Sequence, residues 1–266
     1  MSKGSSGPAI MSRFAFTSLL AIVAFFAIGL SLKGGTQLLA FTGLWLVYLT
    51  LFGLGIAFIQ MKFFCRAICR GATGRKQVSL TFDDGPDPAT TIALLDLLRE
   101  ESISAGFFCI GKRVAAHPQI MARIAAEGHL IGNHTYNHFW WTALMFRPGL
   151  TREISQTQEA IKQATGSTPV YMRPPVGMTN PHYPAVLRRA GMKMIGWDVR
   201  SMDTRWSPQE VIDHVLRRAR DGSIILLHDG SISREGLLEI VKALIAGLRQ
   251  RGFSFERVDR LIEPGM

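Results

Sequence analysis

Two adjacent carboxylates, Asp83 and Asp84, follow an apolar stretch at residues 78–82 and precede a Gly-Pro turn. Side chains alternate along a strand, so the two carboxylates leave its end in different directions. One can therefore bind a metal ion while the other faces a substrate. Taken alone, the fragment is more typical of a solvated turn, because Asp and Gly favour turns. Polar residues at other strand ends favour the first interpretation.

A histidine pair, His134 and His138, lies four residues apart in the sequence HTYNH. In a helix this spacing would place both imidazoles on one face, within reach of one metal ion. The spacing alone is weak evidence, because short motifs of this kind often occur in surface or capping residues. Asp84 would supply a third ligand and leave positions open for water and substrate. Two histidines and one carboxylate also bind iron in non-haem iron oxygenases. Such an enzyme would need neither Asp83 nor His228, a histidine that follows the predicted strand at residues 224–227.

Two more polar residues stand at the ends of predicted strands. Arg173 follows residues 170–172 and precedes two prolines that stiffen the loop, and His228 follows residues 224–227. Individually, Arg173 could be a surface ion-pair partner and His228 a hydrogen-bonded strand-end histidine. Five polar groups at successive strand ends favour one shared site over five separate explanations.

The elements that must position these residues alternate in type along the chain. Short apolar runs typical of strands occupy residues 78–82, 106–110, 129–132, 170–172, 192–197 and 223–227, and amphipathic runs typical of helices occupy residues 90–101, 118–127, 151–165, 183–190, 208–220 and 236–251. This alternation predicts an α/β fold with a parallel sheet or barrel. Catalytic groups should then cluster at the carboxyl ends of the strands.

The chain from about residue 77 to residue 262 resembles the NodB-type polysaccharide deacetylases of carbohydrate esterase family 4. The motifs that carry the resemblance are TFDDG at 81–85, FFCIG at 107–111, HTYNH at 134–138, RPPVG at 173–177 and LLHDG at 226–230. The resemblance implies a distorted (β/α) barrel and metal-dependent hydrolysis of an N-acyl group, usually N-acetyl, from an amino sugar.

The resemblance also implies a role for single residues. Asp83 would be the general base and His228 the general acid; Asp84, His134 and His138 the metal ligands; Arg173 the group that holds Asp83; Asp203 the carboxylate that tunes His228; Leu226 a contact of the acyl methyl group; and the backbone N–H of Val176 the oxyanion donor. One divalent metal is expected as cofactor. Zinc is the first choice, although two nitrogens and an oxygen also accept Co, Ni, Mn or Fe.

The chain departs from the family pattern in two motifs. The fourth motif reads WDVRSMDTRW, so Arg200 replaces a common Asp and Thr204 a common Trp, and in the third motif Val176 stands where Tyr is common. Catalysis should survive, because Asp203 is retained and Val176 keeps its backbone N–H. The change concerns the substrate: Arg200 and Arg205 suit a phosphate, although solvated surface charges explain them equally well.

Positive charge is concentrated at the start of the chain. Of the formal net charge of +10, eight charges come from Lys and Arg in residues 1–77, which contain no Asp or Glu. The high isoelectric point is therefore poor evidence for nucleic-acid binding by the remainder, and no nucleic acid is expected as a partner. The same region holds two uncharged apolar runs, residues 14–32 and 38–61, each long enough to cross a hydrocarbon core of ~30 Å.

These two runs predict a transmembrane helical hairpin. A cleaved signal peptide is the alternative for the first run, although a second long run follows it, and a buried helical pair would need a polar face that neither run has. Lys3 and Arg13 precede the first run, Lys33 lies between the runs and five cations follow the second, so the positive-inside rule places both ends in the cytoplasm. Residues 1–76 would form a membrane anchor with a basic linker, and residues 77–266 the catalytic domain.

The predicted location constrains the substrate. If the catalytic domain lies at the cytoplasmic face, in contact with membrane lipid, the substrate would be an amino sugar linked to polyprenyl phosphate. With the domain on the periplasmic or extracellular side, it would be peptidoglycan or another exported N-acetylated polysaccharide.

Two further features carry weaker signals. The aromatic residues 139–141 come directly after His138 and are either core residues or a loop that docks on the bilayer.

The chain has three cysteines, an odd number that offers no disulfide framework. Cys65 and Cys69 have no nearby His or third Cys that could complete a metal site.

Overall fold

The structure, a computed structural model, describes residues 11–262, and Lys3 of the charge argument lies outside them. The described helices are α1 (Arg13–Ser31), α2 (Gly34–Ala57), α3 (Thr90–Glu100), α4 (Gly111–Ala116), α5 (Pro118–Ala126), α6 (Arg147–Thr165), α7 (Tyr183–Ala190), α8 (Pro208–Arg218), α9 (Arg234–Gln250) and α10 (Val258–Ile262). The strands are β1 (Gln77–Asp83), β2 (Gly106–Cys109), β3 (Leu130–Asn133), β4 (Tyr171–Met172), β5 (Lys193–Met194), β6 (Val199–Arg200), β7 (Ile224–His228) and β8 (Ser254–Phe255). Short 3₁₀ helices lie at Ile59–Met61, Trp140–Leu144 and Pro175–Gly177.

The strands form one parallel sheet in the order β5-β4-β3-β2-β1-β7-β6, with β8 beside the start of β1. The sheet curls into an incomplete barrel, which confirms the predicted distorted (β/α) barrel. The predicted strands and helices are present with shifts of a few residues. The short elements α4, α10, β6 and β8 went unpredicted, because periodicity needs more residues than they contain.

Strand β1 lies at the centre of the sheet and sets the position of the chemistry. Its last residue, Asp83, is in register with Phe108 of β2 on one side and His228 of β7 on the other. Alternate residues Val78, Leu80 and Phe82 are buried in the core that covers the outside of the sheet. Asp83 therefore faces the inside of the barrel, at the carboxyl edge of the strands.

The hairpin helices α1 and α2 are long and apolar enough to cross a membrane, with mean hydropathies of 2.2 and 1.9. A signal sequence near the start of a chain has the same length and hydropathy. Only 0% and 6% of their most apolar stretches are buried, which disfavours a buried helical pair. The two helices contact each other through Ser18 and Tyr48, whose hydroxyl oxygens lie 3.0 Å apart. Helix α2 begins at Gly34 and ends at Ala57, so both ends come four residues before the predicted span.

The segment predicted as a basic linker is instead packed into the barrel. Phe63 and Phe64 are 5% and 3% exposed, because apolar residues there alternate with the cations and reach the core. Ile68 forms a parallel bridge with Ile195 after β5, and Arg70 an antiparallel bridge with Ser223 before β7. This segment therefore fills part of the gap in the barrel wall and joins the hairpin firmly to the domain.

Candidate active site

Asp83 is held by a buried arginine. Arg173 has no exposed surface, and its Nη1 donates to Asp83 Oδ1 at 2.7 Å and to Thr81 Oγ1 at 3.0 Å. Its Nη2 donates to the Gly196 carbonyl oxygen at 3.0 Å, and the guanidinium lies 4.1 Å from the centre of the Phe108 ring. Burial lowers the pKa of Arg173, whereas the charge of Asp83 opposes that shift. The contact expected between Arg173 and Asp83 is thus present, and its catalytic role stays a prediction.

Asp84 and the two histidines form a compact group, which we call the ligand cluster (Asp84, His134 and His138). One potential ligand atom from each lies within 4.8 Å of the others. Asp84 Oδ1 lies 3.2 Å from His138 Nε2 and 3.5 Å from His134 Nε2. The His134 Nδ1 lies 2.7 Å from the Arg173 carbonyl oxygen, a hydrogen bond that turns Nε2 toward Asp84.

The histidines meet on an irregular turn, so the helix that the spacing suggested is absent here. Thr135 and His138 have positive φ values of 63° and 56°, which bend the chain back on itself. Glu153 of α6 is 5% exposed and accepts hydrogen bonds from the backbone N–H groups of Tyr136 and Asn137 at 2.9 and 2.8 Å. A buried carboxylate, rather than helical geometry, therefore holds this turn.

The ligand cluster fits a divalent cation. Asp84 Oδ1 is buried and has no hydrogen-bond partner among the described residues, a costly state without a cation. Burial opposes ionisation of Asp84, but the neighbouring imidazole of His134 outweighs it, so the pKa of Asp84 lies well below its usual value. Burial and the adjacent His134 lower the pKa of His138 to about 4, which leaves a neutral imidazole suited to metal binding.

His228 forms the second strand-end pair. Its Nδ1 lies 2.7 Å from Asp203 Oδ1, and its backbone N–H donates to Asp203 Oδ2 at 2.8 Å. Burial would lower the pKa of His228, but the hydrogen bond and charge of Asp203 raise it to about 9. His228 therefore holds a proton at neutral pH. We call Asp83 with Arg173, and His228 with Asp203, the charge pairs.

The other expected substrate contacts differ in exposure. Leu226 is 2% exposed in β7, whereas the side chain of Val176 is 45% exposed on its loop. Val176 has a φ of 58°, which is uncommon for a β-branched residue and turns the backbone sharply at this position. Arg200, the last residue of β6, and Arg205, on the loop that follows it, are both exposed. None of the four touches the ligand cluster through a hydrogen bond or ion pair within residues 11–262.

Backbone strain is concentrated around the site. Of the eight non-glycine residues with positive φ in the described chain, five are Asp84, Thr135, His138, Val176 and Met202, which belong to the ligand cluster or to loops beside it. Such conformations cost of order 1–3 kcal/mol each and persist where surrounding packing fixes them, often at functional sites.

Sequence reasoning missed several residues that hold the site together. Ser231 donates to Asp84 Oδ2 at 2.6 Å, although it lies 147 positions further along the chain. Asp229 is fully buried and accepts from Thr91 Oγ1 at 2.5 Å, and burial raises its pKa to about 7. The HDGS sequence at 228–231 contained both residues, but only the fold shows that they reach β1 and α3.

The aromatic loop after His138 is largely exposed. Trp140, Leu144 and Phe146 are 65%, 67% and 75% exposed, so these side chains are not core residues. The loop is tied to the hairpin exit by Asn180, whose Nδ2 donates to the carbonyl oxygen of Ala143 at 3.0 Å, while its neighbour Thr179 donates to α2. Docking of this loop on a bilayer stays a prediction.

Comparison with known proteins decides the family. The family model described as polysaccharide deacetylase matches residues 70–195. A chitooligosaccharide deacetylase from Rhizobium leguminosarum bv. trifolii is 37% identical over 191 residues, which cover 67% of this chain and 88% of that protein. The chain belongs to the polysaccharide deacetylase family. It is therefore a hydrolase of carbon–nitrogen bonds, as the resemblance implied, and the oxygenase alternative is set aside.

Two further relatives support this assignment. A peptidoglycan-N-acetylglucosamine deacetylase from Bacillus cereus is 32% identical, over 70% of this chain and 88% of that protein. A crystal structure of a peptidoglycan N-acetylglucosamine deacetylase superimposes with a TM-score of 0.67 at 30% identity, covering 74% of this chain and 92% of that one. The family model begins its match at residue 70, after the hairpin, so it identifies the deacetylase domain.

Proposed function

We propose that this polysaccharide deacetylase is a membrane-anchored, metal-dependent enzyme that removes an N-acetyl group from a lipid-linked amino sugar at the cytoplasmic face. The observation that carries the proposal is the meeting of the ligand cluster and both charge pairs at one edge of the sheet. These groups are what amide hydrolysis needs: a base, an acid and a place for a Lewis acid.

In the proposed reaction, proton transfers are divided between the charge pairs. Asp83, fixed by Arg173, accepts the proton of the water that attacks the amide carbon, and the backbone N–H of Val176 donates to the developing oxyanion. A cation bound by the ligand cluster would supply the Lewis acid that polarises the carbonyl and lowers the pKa of that water. His228 then donates its proton to the nitrogen as the carbon–nitrogen bond breaks, giving acetate and a free amine.

The lipid-linked substrate and the cytoplasmic face rest on the hairpin. Arg13 at the start of α1 donates to the Met61 carbonyl oxygen at 2.7 Å, so both membrane-entry points lie on the domain side. Only Lys33 lies at the far end of the hairpin, which favours a cytoplasmic domain by the positive-inside rule. Lipid-linked sugars are available there, whereas wall polymers are not.

An exported polysaccharide is the second candidate substrate, because named relatives are peptidoglycan deacetylases. Thiol labelling in intact cells separates the two locations. The native cysteines are buried and should stay unlabelled, whereas Glu239→Cys on the exposed face of α9 reports the domain and Lys33→Cys the hairpin loop. An impermeant reagent should label the Lys33→Cys chain only. Labelling of Glu239→Cys would place the domain outside and favour the polysaccharide.

The chemistry itself is tested with the purified full chain in detergent. Metal-free enzyme should release no acetate from a chitooligosaccharide or from a polyprenyl-phosphate-linked N-acetyl amino sugar. Added Zn²⁺ should restore release, with a higher kcat/KM for the lipid-linked substrate. Full activity in the presence of a chelator, with no metal bound, would contradict the metal-dependent proposal.

A further inference from the structure

A groove of about 350 Å³ separates the end of the hairpin from the rim of the active site. Ala57, Phe58 and Gln60 line it on the hairpin side, and Val176, Arg200 and Arg218 are among the residues that line it on the barrel side. One wall therefore begins where α2 ends, and the other includes the loop whose backbone is expected to bind the oxyanion. A molecule that occupies this groove would touch both the membrane anchor and the catalytic rim.

The groove presents unpaired positive charge. Arg200 and Arg218 are exposed, and neither forms an ion pair with a carboxylate of residues 11–262. Asp198, the acidic residue in the lining, is already engaged: its carboxylate accepts from Ser223 Oγ at 3.0 Å and from the Ile224 backbone N–H at 2.9 Å. Two arginines without acidic partners in one groove suit an anion with several oxygens, such as a phosphate ester.

The remaining walls suit the groups that flank such a phosphate. Trp206 is 40% exposed and packs edge-on against His214, with ring centres 4.9 Å apart. Burial and the charge of Arg218 lower the pKa of His214, as expected beside clustered cations. Phe58, 51% exposed, continues the apolar surface of α2 to the mouth of the groove. The groove is thus lined by apolar residues at the end of α2, by two arginines and by the Val176 loop.

We infer that this groove binds the phosphate of the lipid-linked substrate, with Arg200 and Arg218 as its partners. The inference rests on the proposed function and makes its substrate more specific. The lipid chain would leave past Phe58 toward the bilayer, and the sugar would extend past Val176 toward Asp83. A phospholipid headgroup of the bilayer carries the same phosphate chemistry, but it would have no sugar to direct past the catalytic loop.

The arginines expected from the sequence to bind phosphate are thereby reassigned. Arg205 is exposed near the groove but does not line it, whereas Arg218, which the sequence did not single out, does. Arg217 is the neighbour of Arg218 on α8, is equally exposed and lies outside the groove. Arg217→Gln is therefore a matched control, since it removes the same charge from the same helix.

Binding of polyprenyl phosphate, a probe without sugar, tests the inference directly. Native mass spectrometry of the full chain in neutral detergent should show a bound polyprenyl phosphate. The variant Arg200→Gln/Arg218→Gln should weaken binding by about tenfold or more, because it removes the charge-assisted hydrogen bonds from both guanidinium groups to the phosphate. Arg217→Gln should bind as the wild-type chain does, and phosphatidylglycerol at the same mole fraction should not displace the probe.

Three results would overturn the inference: no binding by the wild-type chain, equal losses in Arg217→Gln and the double variant, or displacement by phosphatidylglycerol. The last would indicate a general headgroup site. The binding measurement does not depend on turnover, so failure of the proposed function is seen separately, as a lack of acetate release from every N-acetyl substrate by metal-loaded wild-type enzyme. Unchanged thermal unfolding of the double variant shows that the groove, not the fold, was altered.

Discussion

The ligand cluster and the charge pairs share one edge of the sheet, yet their polar atoms differ in whether they have partners within the chain. Each charge pair is closed by a 2.7 Å contact within the chain. The ligand cluster stands on turns with positive φ, and the buried Asp84 Oδ1 has no hydrogen-bond partner among the described residues. The charge pairs are therefore complete as folded, whereas the ligand cluster would be completed by the proposed cation. Substitutions should separate them, because only the ligand cluster should control metal content.

The largest effect is expected for the ligand cluster. His134→Ala, His138→Ala and Asp84→Ala should each abolish both divalent-metal binding and turnover, because three ligands are the fewest that hold a catalytic metal in such sites. Metal content by mass spectrometry and acetate release measure the two properties. Retention of one metal per chain by any of these variants would remove that residue from the cluster.

A smaller loss, without loss of metal, is expected for a charge pair. His228→Ala should keep the metal and reduce kcat by about 10² to 10⁴, the usual contribution of a general acid or base. His182→Ala is a control, because this half-buried histidine is the N-cap residue of α7 and packs against Phe146 rather than against either charge pair. If His228→Ala lost metal in parallel with its rate, the ligand cluster and the charge pairs would not have separate roles.

A change behind the ligand cluster should weaken metal binding without abolishing it. Glu153→Ala removes the carboxylate that holds the turn between the histidines and should raise the metal Kd by about 10- to 100-fold, as outer-shell changes commonly do. Glu153→Gln keeps an oxygen for the Tyr136 and Asn137 backbone N–H groups and should recover most of the affinity. Isothermal titration of the folded proteins measures the metal Kd of both variants. An unchanged Kd in Glu153→Ala would show that the turn keeps its shape without this carboxylate.

The smallest effect is a shift in pH dependence at the same charge pair, His228 with Asp203. In the proposed reaction His228 acts in its protonated form, so activity should be present below its pKa and be lost as the pH rises through it. Asp203 keeps that pKa raised, to about 9, against the opposing effect of burial. Asp203→Asn should therefore move the alkaline limb of the kcat profile to lower pH by about one unit or more. A lower kcat with an unmoved limb would mean that Asp203 only supports the loop.

The sequence predicted the barrel well, because β1 and the amphipathic helices carry long, regular patterns. The sequence also placed Asp83, Asp84, His134, Arg173 and His228 at or just after strand ends, which predicts that they meet at one edge of the sheet. Asp203 came only from the family resemblance. The sequence could not predict the turn that joins His134 to His138, because local spacing suggested a helix and the actual turn depends on the distant Glu153. The contact from Ser231 to Asp84 and the groove residue Arg218 likewise depend on tertiary packing.

In the hairpin, too, local sequence predicted the helices but not their tertiary packing. Hydrophobic length predicted α1 and α2 to within four residues, because a long apolar run can be recognised without knowing what it packs against. The packing of Phe63 and Phe64 into the barrel could not be predicted, since their cationic neighbours are equally typical of a juxtamembrane linker. The alternating pattern does not show that the barrel wall is open between Ile195, after β5, and Ser223, before β7, where this segment packs.

The most direct test of the comparison substitutes the two adjacent carboxylates one at a time. Asp83→Asn should retain one metal per chain and lose about 10² to 10⁴ in kcat, whereas Asp84→Asn should lose both metal and turnover. Metal content and acetate release are measured on the same preparations of the full chain in detergent. If Asp83→Asn loses the metal and Asp84→Asn keeps it, the roles of the two carboxylates are reversed and the division between charge pairs and ligand cluster is wrong.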